Sequence, residues 1–481
     1  MNTNLPAITF PKNPSTKPLT GELETIPRLA WKNWGNTASC LPDYSFFPTS
    51  GEDLAKIVQL ARETRRKLRV VAQGHSWSSL VPTNDILVYI KGLDKVEMDV
   101  SDPTNPLAIV ESGATIKQVN DVLEGHGYAL PFNVVLESVR FGGLIATGSH
   151  GSGWENDTLS DLVNWIEIVD AQGEIRRFEE GVTREEVMNA ARLHLGMFGI
   201  TWRMGLKVKK SWRVKTIDER RDFDEVMKNM KEIVLGNESV DLFWWPFCEQ
   251  MWVKRWNRTE APITAKPRKS WWDYASSWVT AHIGNAVWRL SGHIPPLTPF
   301  LSRLCFAFTP SRSKKVVDIV EAIHYRRSIE VNKCGCVEIA FKIDPDFANV
   351  KQAILWVREK AEAYAREGKF PFNVTMNLRF VSNSACWLSP AYGEGHTCYI
   401  EILSHTRQDR WEAFSAEVAK EWLKLAGAKP HWAKEFQHIP GVKEHIREGY
   451  GENITRFNQI KEDLQMDPEG MFMNPLLQQI F

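Results

Sequence analysis

Hydrophobic residues in the first 210 positions alternate between helical and strand-like spacing. Leu54, Ile57, Val58 and Ala61 share one helical face, and Ser50-Gly51-Glu52-Asp53 before them has the pattern of a capping box. The same criteria predict strands at 68–72, 86–90 and 202–208, a helix through 116–123, and a hairpin of 162–169 with 174–178. We therefore expect an α+β domain that ends near residue 210.

Three later runs have a period of two, which is typical of half-buried strands. Each run places apolar side chains on one face and polar side chains on the other. The three runs lie at 337–343, 375–380 and 397–402. We expect an antiparallel sheet with Glu338, Asn377 and Arg379 on its polar face, and charged helices at 350–366 and 409–425. An ordinary solvated sheet face is the alternative interpretation of this pattern.

Length and charge narrow the function classes. A chain of 481 residues is long enough for two domains. Lys plus Arg and Asp plus Glu number 59 each, and this balance argues against nucleic-acid binding. The seven cysteines do not form a disulfide framework. The one tight pair, Cys334-Gly335-Cys336, has no second pair to complete a zinc site, so we expect buried thiols and no metal.

The start of the chain shows no secretory signal, so we expect a cytoplasmic protein, with membrane association as the alternative. The most apolar stretch lies at 271–306, but Asp273, Arg289 and Arg303 interrupt it. A buried tryptophan-rich subdomain or a homo-oligomer contact is one interpretation of this stretch. A peripheral membrane contact is the other.

Three segments carry candidate chemistry. The polar loop 73–79 follows a strand and presents N–H and hydroxyl donors, as a phosphate nest does. The segment 141–153 is rich in glycine, which permits close approach of a large ligand. It lacks the glycine spacing of the dinucleotide fingerprint, and no helical pattern begins there. The third segment, 429–434, concentrates His431, Trp432 and Lys434. Each signal alone is weak.

Taken in order, the segments resemble the vanillyl-alcohol oxidase superfamily of flavoproteins, and within it the sugar-1,4-lactone oxidases and alditol oxidases. The matching motifs are Val70-Val71-Ala72-Gln73-Gly74-His75-Ser76, Ala146-Thr147-Gly148-Ser149-His150-Gly151-Ser152-Gly153, Gly196-Met197-Phe198-Gly199-Ile200-Thr201, Trp387-Leu388-Ser389-Pro390 with Cys398-Tyr399-Ile400, and His431-Trp432-Ala433-Lys434. The likeness covers residues 28–481 and is weakest between about 215 and 330.

The resemblance implies a particular α+β architecture. We expect a two-subdomain FAD-binding domain of the PCMH type and a substrate (cap) domain whose antiparallel sheet is flanked by helices. The implied divisions are an N-terminal extension at 1–27, the FAD-binding domain at 28–212, the substrate domain at 213–424, and a C-terminal segment at 425–481 that returns to the flavin.

The resemblance also implies FAD, linked covalently through its 8α-methyl group to His75. No cysteine lies between Cys40 and Cys248, which argues against a second, cysteinyl tether in that interval. The other expected cofactor-binding residues are Gln73, Gly74, Ser76, Ser78, Ser79, Ser138, Gly142, Gly143, Thr147, Gly148, His150, Gly151, Gly153, Gly199, Ile200 and Lys434.

On the substrate side the chain departs from the family pattern. Relatives commonly carry Glu-x-Arg on a strand, and here the sequence is Asn377-Leu378-Arg379. We expect Arg379 to stabilise the developing alkoxide and Lys434 to stabilise the reduced flavin. Glu338 is a candidate for the missing carboxylate, and Glu338 or His431 for the general base. Arg140 is bulkier and more charged than the family pattern leads us to expect.

The implied activity is oxidation of a CH–OH group in an aldono-1,4-lactone or alditol, with hydride transfer to flavin N5 and then reduction of O₂ to H₂O₂. The expected partners are thus a small-molecule substrate and O₂. Two alternatives stay open. One is a flavin enzyme that uses another alcohol, a secondary metabolite or another electron acceptor. The other is a catalytically idle flavin-binding protein.

Overall fold

A computed structural model describes residues 23–265, 271–325, 333–405 and 409–481. Most of the expected N-terminal extension at 1–27 therefore lies outside the described residues.

The N-terminal part contains short sheets and four α-helices. Its strands are β1 Thr25–Pro27, β2 Trp31–Lys32, β3 Ser39–Cys40, β4 Tyr44–Phe46, β5 Leu68–Val71, β6 Ile86–Tyr89, β7 Val96–Asp99, β8 Leu107–Glu111, β9 Tyr128–Ala129, β10 Val163–Val169, β11 Ile175–Glu179, β12 Ile200–Lys207 and β13 Lys209–Lys210. Its helices are α1 Gly51–Glu63, α2 Ile116–Gly125, α3 Phe141–Ala146 and α4 Glu185–Ala191. One mixed sheet has the order β1-β4-β6-β5, and an antiparallel sheet has the order β11-β10-β12-β8-β7.

Local sequence explains most of these elements. The hydroxyl of Ser50 accepts a hydrogen bond from the Asp53 N–H (3.1 Å) and caps α1, whose apolar stripe is buried. The predicted hairpin is the antiparallel pair β10–β11. The glycine-rich segment differs from expectation, because α3 begins at Phe141. With six residues, this helix is too short to show a periodic pattern.

The C-terminal part is built on one long antiparallel sheet with helices around it. Its strands are β14 Arg213–Asp222, β15 Ser239–Trp244, β16 Gln250–Arg258, β17 Arg312–Asp318, β18 Cys334–Lys342, β19 Thr375–Val381, β20 Thr397–His405 and β21 Lys429–Pro430. Its helices are α5 Phe223–Lys228, α6 Met230–Leu235, α7 Trp271–His293, α8 Thr298–Ala307, α9 Ile319–Ile323, α10 Ala348–Arg366, α11 Trp411–Trp422, α12 Val442–Tyr450, α13 Glu452–Asp463 and α14 Pro475–Ile480.

The order of this eight-stranded sheet is β17-β14-β16-β15-β19-β20-β18-β21. Its apolar face packs against α10 and α11, and the indole N–H of Trp422 donates to the carbonyl of Ala353 between the two helices (3.0 Å). The other face carries the polar residues that the period of two predicted. The change from the five-stranded sheet to this sheet, between β12 and β14, supports the domain boundary that we propose at residues 212–213.

The apolar stretch 271–306 folds into α7 and α8, but the expectation of a buried subdomain is wrong. Trp288, Leu301 and Phe306 are buried, whereas Trp271 and Trp272 are 69% and 73% exposed. Helices α7 and α8 thus bury a few of their apolar side chains and leave many others exposed. We call the surface formed by the exposed ones the uncovered side of α7 and α8. Across the described ranges, no helix combines the length and apolar character required to cross a bilayer.

Candidate active site

A cavity of about 370 Å³ lies between the N-terminal loops and the polar face of the eight-stranded sheet. Of the expected cofactor-binding residues, those that line it are Gln73, Gly74, His75, Ser76, Gly142, Gly143, Thr147, His150, Gly151, Gly199, Ile200 and Lys434. The expected catalytic residues that line it are Glu338, Asn377, Arg379, His431 and Lys434. The lining does not include Ser78, Ser79, Ser138, Gly148 or Gly153. The fold thus brings four distant sequence motifs to one cavity.

His75 lies in the loop that follows β5. Gly74 before it has a φ of +72°, a backbone conformation that glycine adopts without strain. The Trp34 indole stacks on the imidazole with the ring centroids 4.8 Å apart. Burial, with a smaller contribution from the Lys434 charge, lowers the pKa of His75 to about 4. His75 is therefore a neutral imidazole near pH 7, and neutral imidazole is the nucleophilic form.

Ser78 and Ser79 face the C-terminal segment rather than the cavity. Three hydrogen bonds join the two segments: Trp77 N–H to Ala433 O (2.7 Å), Ser78 Oγ to Trp432 O (2.5 Å), and Ser79 N–H to Gln437 Oε1 (2.8 Å). The Lys434 ammonium also lies 4.8 Å from the ring centre of Trp77. These contacts, which we call the loop clamp, hold the His75 loop and the Lys434 segment together.

The glycine-rich segment and the loop before it offer donors to a ligand. Gly151 lies so close to the backbone of Asn133 that a Cβ would come within 2.7 Å of its carbonyl oxygen. The side-chain nitrogen of Asn133, at the cavity wall, is buried and has no hydrogen-bond partner among the described residues. A buried donor without a partner is costly, so it fits a bound group with phosphate and carbonyl oxygens, as FAD has. Arg140 donates to the side chain of Gln73 (2.9 Å) at the same wall.

The register of the sheet aligns acidic and amide side chains in one row. Asn377 of β19 pairs with Glu401 of β20, and Glu401 pairs with Glu338 of β18. The Asn377 side-chain nitrogen donates to Glu401 Oε1 (2.7 Å). In the adjacent row, Arg379 pairs with Asp241 of β15. Because residues two apart share a face, both rows line the cavity.

Lys434 reaches this row from the C-terminal segment. Its ammonium lies 2.8 Å from Glu401 Oε2 and 3.7 Å from Glu338 Oε2. Burial acts to lower the pKa of Lys434, but Cys336, Glu338 and Glu401 together outweigh burial and raise it well above the usual value. At neutral pH the site therefore keeps a cation against the two carboxylates.

Arg379 lies between two carboxylates. Its Nε is 4.0 Å from Asp241 Oδ1, and its nearest terminal nitrogen is 4.0 Å from Glu401 Oε1. Burial acts to lower its pKa, but Glu401 and Asp241 outweigh burial and raise it. Its distances to both acids exceed normal hydrogen-bond length, so its donors are available to a ligand in the cavity.

Glu338, His150 and His431 form a second buried cluster. His150 Nδ1 lies 3.0 Å from the Gly151 carbonyl, which can only accept, so this nitrogen carries a hydrogen. Its Nε2 faces Glu338 Oε1 at 3.4 Å. His431 Nδ1 accepts from the Ala433 N–H (3.1 Å), which leaves its Nε2 as a donor. Burial lowers the pKa of His431 to about 3.

These three side chains place potential metal-ligand atoms within 4.8 Å of one another. The ammonium of Lys434, 3.7 Å from Glu338, disfavours a metal cation in the cluster. The same ammonium stabilises the carboxylate: burial acts to raise the pKa of Glu338, but Lys434 and His150 outweigh burial and hold it well below the usual value.

Comparison with known proteins identifies the family. The D-arabinono-1,4-lactone oxidase family model matches residues 204–480, and the model of an FAD-binding domain matches residues 42–179. The chain belongs to the D-arabinono-1,4-lactone oxidase family. L-Gulonolactone oxidase of Scyliorhinus torazame is 27% identical over 94% of this chain and 98% of that protein. D-Arabinono-1,4-lactone oxidase of Kluyveromyces lactis is 25% identical over 92% and 95%.

A relative named as a dehydrogenase is also similar: L-gulono-1,4-lactone dehydrogenase of Mycobacterium tuberculosis is 24% identical over 92% of this chain and 97% of that protein. The crystal structure of cholesterol oxidase from Brevibacterium sterolicum matches with a TM-score of 0.78 and 15% identity over 98% of this chain and all of that chain. This likeness confirms the expected fold. The chain is an FAD-dependent oxidoreductase of the lactone oxidase family.

Three residues of the site were missed in the sequence. Glu401 lies on the polar face of a predicted strand, and this position was the only feature of the sequence that pointed to a role in the site. Asp241 lies where the resemblance to the lactone oxidase family is weakest. Trp34 precedes the first recognised motif, and only the fold brings its ring onto His75.

Arg69 ties the flavin-side motifs to the C-terminus, and its loss tests the importance of that tie. Its guanidinium is buried at the cavity wall and donates to the carbonyls of Leu80 (2.9 Å), Leu195 (3.0 Å) and Phe472 (2.5 Å). We predict that Arg69→Met lowers the free energy of unfolding by at least about 3 kcal/mol, because each hydrogen bond to a charged group contributes about 1.5–3 kcal/mol. Urea denaturation of the FAD-loaded protein measures the loss.

The matched control is Lys67→Met. Lys67 donates to the carbonyl of Gly470 (2.6 Å) in the same C-terminal turn, but from a half-exposed position. Lys67→Met should lower the free energy of unfolding by much less than Arg69→Met, because water replaces the lost hydrogen bond. Equal effects of the two variants would contradict the assignment of the buried tie.

Proposed function

We propose that this enzyme oxidises a CH–OH group of an aldono-1,4-lactone or a related alditol. The observation that carries the proposal is the cavity-lining row of Asn377, Glu401 and Glu338 with Arg379 and Lys434 beside it. Carboxylates accept hydrogen bonds from sugar hydroxyls, and the two cations donate to carbonyl or ring oxygens. The relatives named as lactone oxidases support the same substrate class.

The bound FAD supplies the acceptor for the hydride that leaves the substrate carbon. We propose O₂ as the final acceptor, so that CH–OH and O₂ give C=O and H₂O₂. Arg379 binds the reacting oxygen and stabilises the negative charge that develops on it. Lys434 lies between the sheet and the His75 loop, which places a positive charge on the side of the cavity where the flavin ring would be held.

The hydroxyl proton goes to the pair formed by His150 and Glu338. His150 Nε2 and Glu338 Oε1 face each other at 3.4 Å, so a hydrogen placed on Nε2 lies between them. A proton taken from the substrate therefore gains two partners at once. His431 is a poorer base, because one ring nitrogen already accepts the Ala433 N–H and the other carries the hydrogen.

The first test is turnover of aldono-1,4-lactones and alditols, followed by H₂O₂ release and by bleaching of the flavin. Glu338→Gln keeps the side-chain shape but removes the charge that stabilises a proton on His150, and we expect kcat to fall by about 10²–10⁴-fold, the usual contribution of general acid–base catalysis. The control Glu435→Gln alters a buried acid outside the cavity, which accepts the Cys336 N–H, and should retain activity.

Flavin bleaching by lactones without H₂O₂ release would replace O₂ by another acceptor. A wild-type flavin that stays oxidised with every lactone and alditol would contradict the proposed substrate class. If Glu338→Gln kept kcat within threefold of the wild type, Glu338 would not take part in proton removal.

We further propose that FAD is linked covalently to His75. The neutral imidazole, the absence of a hydrogen bond to it from any residue in the described ranges, and the stacked Trp34 support a nucleophile held in one orientation. The FAD-binding family match, whose residues 42–179 include His75, and the loop clamp support a flavin on this side of the cavity.

The linkage makes two predictions. Acid precipitation should carry the yellow chromophore into the pellet for the wild type and leave it in the supernatant for His75→Ala. Because the lowered pKa of about 4 keeps His75 neutral at higher pH, the rate of attachment to the apoprotein should be constant from about pH 5.5 to 8. A rate that falls below about pH 6.5, the ordinary pKa of histidine, would show an unshifted imidazole.

We also propose that the uncovered side of α7 and α8 contacts an anionic membrane surface. The exposed apolar side chains are Trp271, Trp272, Trp278, Val279, Ile283, Leu290, Ile294, Phe300, Leu304 and Phe308. Tryptophans favour the membrane–water interface. The exposed Arg289 and Arg303 outnumber Asp273 and suit anionic headgroups. The cytoplasmic location stays a prediction.

Sedimentation with vesicles tests this surface. We expect binding to phosphatidylcholine vesicles that contain phosphatidylglycerol, and loss of binding in the Trp271→Ser/Trp272→Ser/Phe308→Ser variant. Val182→Ser, which changes an 81% exposed apolar residue elsewhere, should bind normally. A concentration-dependent dimer that the triple variant abolishes, without vesicle binding by the wild type, would assign the surface to a second copy of the chain.

A further inference from the structure

Glu401 occupies the centre of the charged row, although no motif points to it. It is 5% exposed, and its carboxylate touches Asn377 (2.7 Å) and Lys434 (2.8 Å) and lies 4.0 Å from Arg379. Glu338 contacts Lys434 at a longer distance of 3.7 Å. Glu401 is thus the acid that meets both cations and the amide.

The two oxygens of Glu401 have different partners. Oε2 accepts from Lys434, and the thiol of Cys336 lies 3.4 Å from the same oxygen. Oε1 accepts from Asn377 and faces Arg379. Because β19 and β20 fix Asn377 and Glu401 opposite each other, a movement of the Glu401 carboxylate would move the charges on both sides of it.

The pairing of the strands explains why an amide suits position 377 better than a carboxylate. A glutamate there would lie directly opposite Glu401, with Glu338 as a third acid in the row. Like charges placed directly opposite on a sheet destabilise it, and in a buried site one of the acids takes up a proton. Asn377 instead donates a hydrogen bond and adds no charge.

We infer that Glu401 is the positioning residue for Lys434 and Arg379, and that the Asn377–Glu401 pair places a carboxylate of this row on β20. Glu401 orients the two cations toward the substrate oxygens, and Asn377 orients Glu401. The inference rests on the proposed function of the cavity.

Exchange of the two side chains tests this inference. Glu401→Gln should lower kcat/KM by about 100-fold, since a misplaced catalytic group costs about that much. It should also shift the alkaline limb of the pH profile to lower pH. The sign follows from charge: Glu401 raises the pKa of Lys434, so its loss lowers that pKa, and the protonated ammonium is lost earlier as pH rises.

Asn377→Glu alone should also lower kcat/KM, because two carboxylates then oppose each other. The double variant Asn377→Glu/Glu401→Gln restores one acid and one amide, and we expect kcat/KM to return to within about tenfold of the wild type. A double variant as impaired as the product of the two single effects would overturn the inference. So would a double variant that is no more active than Glu401→Gln alone.

A measurement without substrate separates this inference from the proposed function. In urea denaturation of the FAD-loaded proteins, the double variant should unfold at a midpoint closer to the wild type than either single variant. The matched control is Glu167→Gln, which alters a buried strand glutamate held by Arg203 (2.6 Å) outside the cavity and should leave the pH profile unchanged. Failure to oxidise lactones would contradict the proposed substrate. A double variant whose urea midpoint is no closer to the wild type would contradict the proposed role of the Asn377–Glu401 pair.

Discussion

The loop clamp is the constraint on which the rest of the site depends. Two of its three hydrogen bonds connect main-chain atoms or a short hydroxyl to main-chain carbonyls, so the distance between the two segments has little freedom. The clamp joins residues 354 positions apart in the chain, Ser78 and Trp432. Because His75 precedes one side and Lys434 follows the other, the clamp fixes where the flavin side of the cavity meets the polar sheet. Arg69, which also lines the cavity, makes a second connection to the C-terminal part through the carbonyl of Phe472.

The charged groups of the cavity are stable only as a set. Burial alone would neutralise Glu338 and Glu401 and deprotonate Lys434, but each group keeps its charge because its neighbours carry the opposite one. Such a buried network contributes little net stability, since desolvation offsets most of the attraction. Its consequence is chemical: a polar substrate meets dipoles and charges already in place, and no reorganisation is required when charge develops.

Much of the fold could be predicted from the sequence because its signals are local. The period of two identified the strands around Glu338, Asn377 and Arg379 and the face on which these residues lie. Helix α1 could be predicted from its N-cap residue Ser50 and its stripe of apolar residues. The motif resemblance then placed His75 and Lys434 at the cofactor, and both line the cavity.

The rest depends on pairings between distant segments, which no local pattern encodes. Glu401 became important only when the register placed it opposite Asn377. The stacking of Trp34 on His75 required the segment between β2 and β3 to pack against the His75 loop, where the side-chain nitrogen of Asn33 donates to the carbonyl of Ser76 (2.7 Å). The stretch at 271–306 misled for a related reason: its composition resembles that of a core helix, but the neighbouring sheet covers one side of the helix and leaves the other exposed.

The amide at position 377 shows how a motif and its chemistry separate. When β19 alone is considered, Asn377-Leu378-Arg379 lacks an acid, and this absence was compatible with a flavin-binding protein that has no catalytic activity. Judged across strands, the same row holds Glu401 within 2.7 Å of the amide and within 2.8 Å of Lys434. A substrate in the cavity meets a row of side chains from several strands, and a carboxylate serves it from either of two adjacent strands. Asn377 therefore changes which strand carries the acid, and it does not remove the acid from the site.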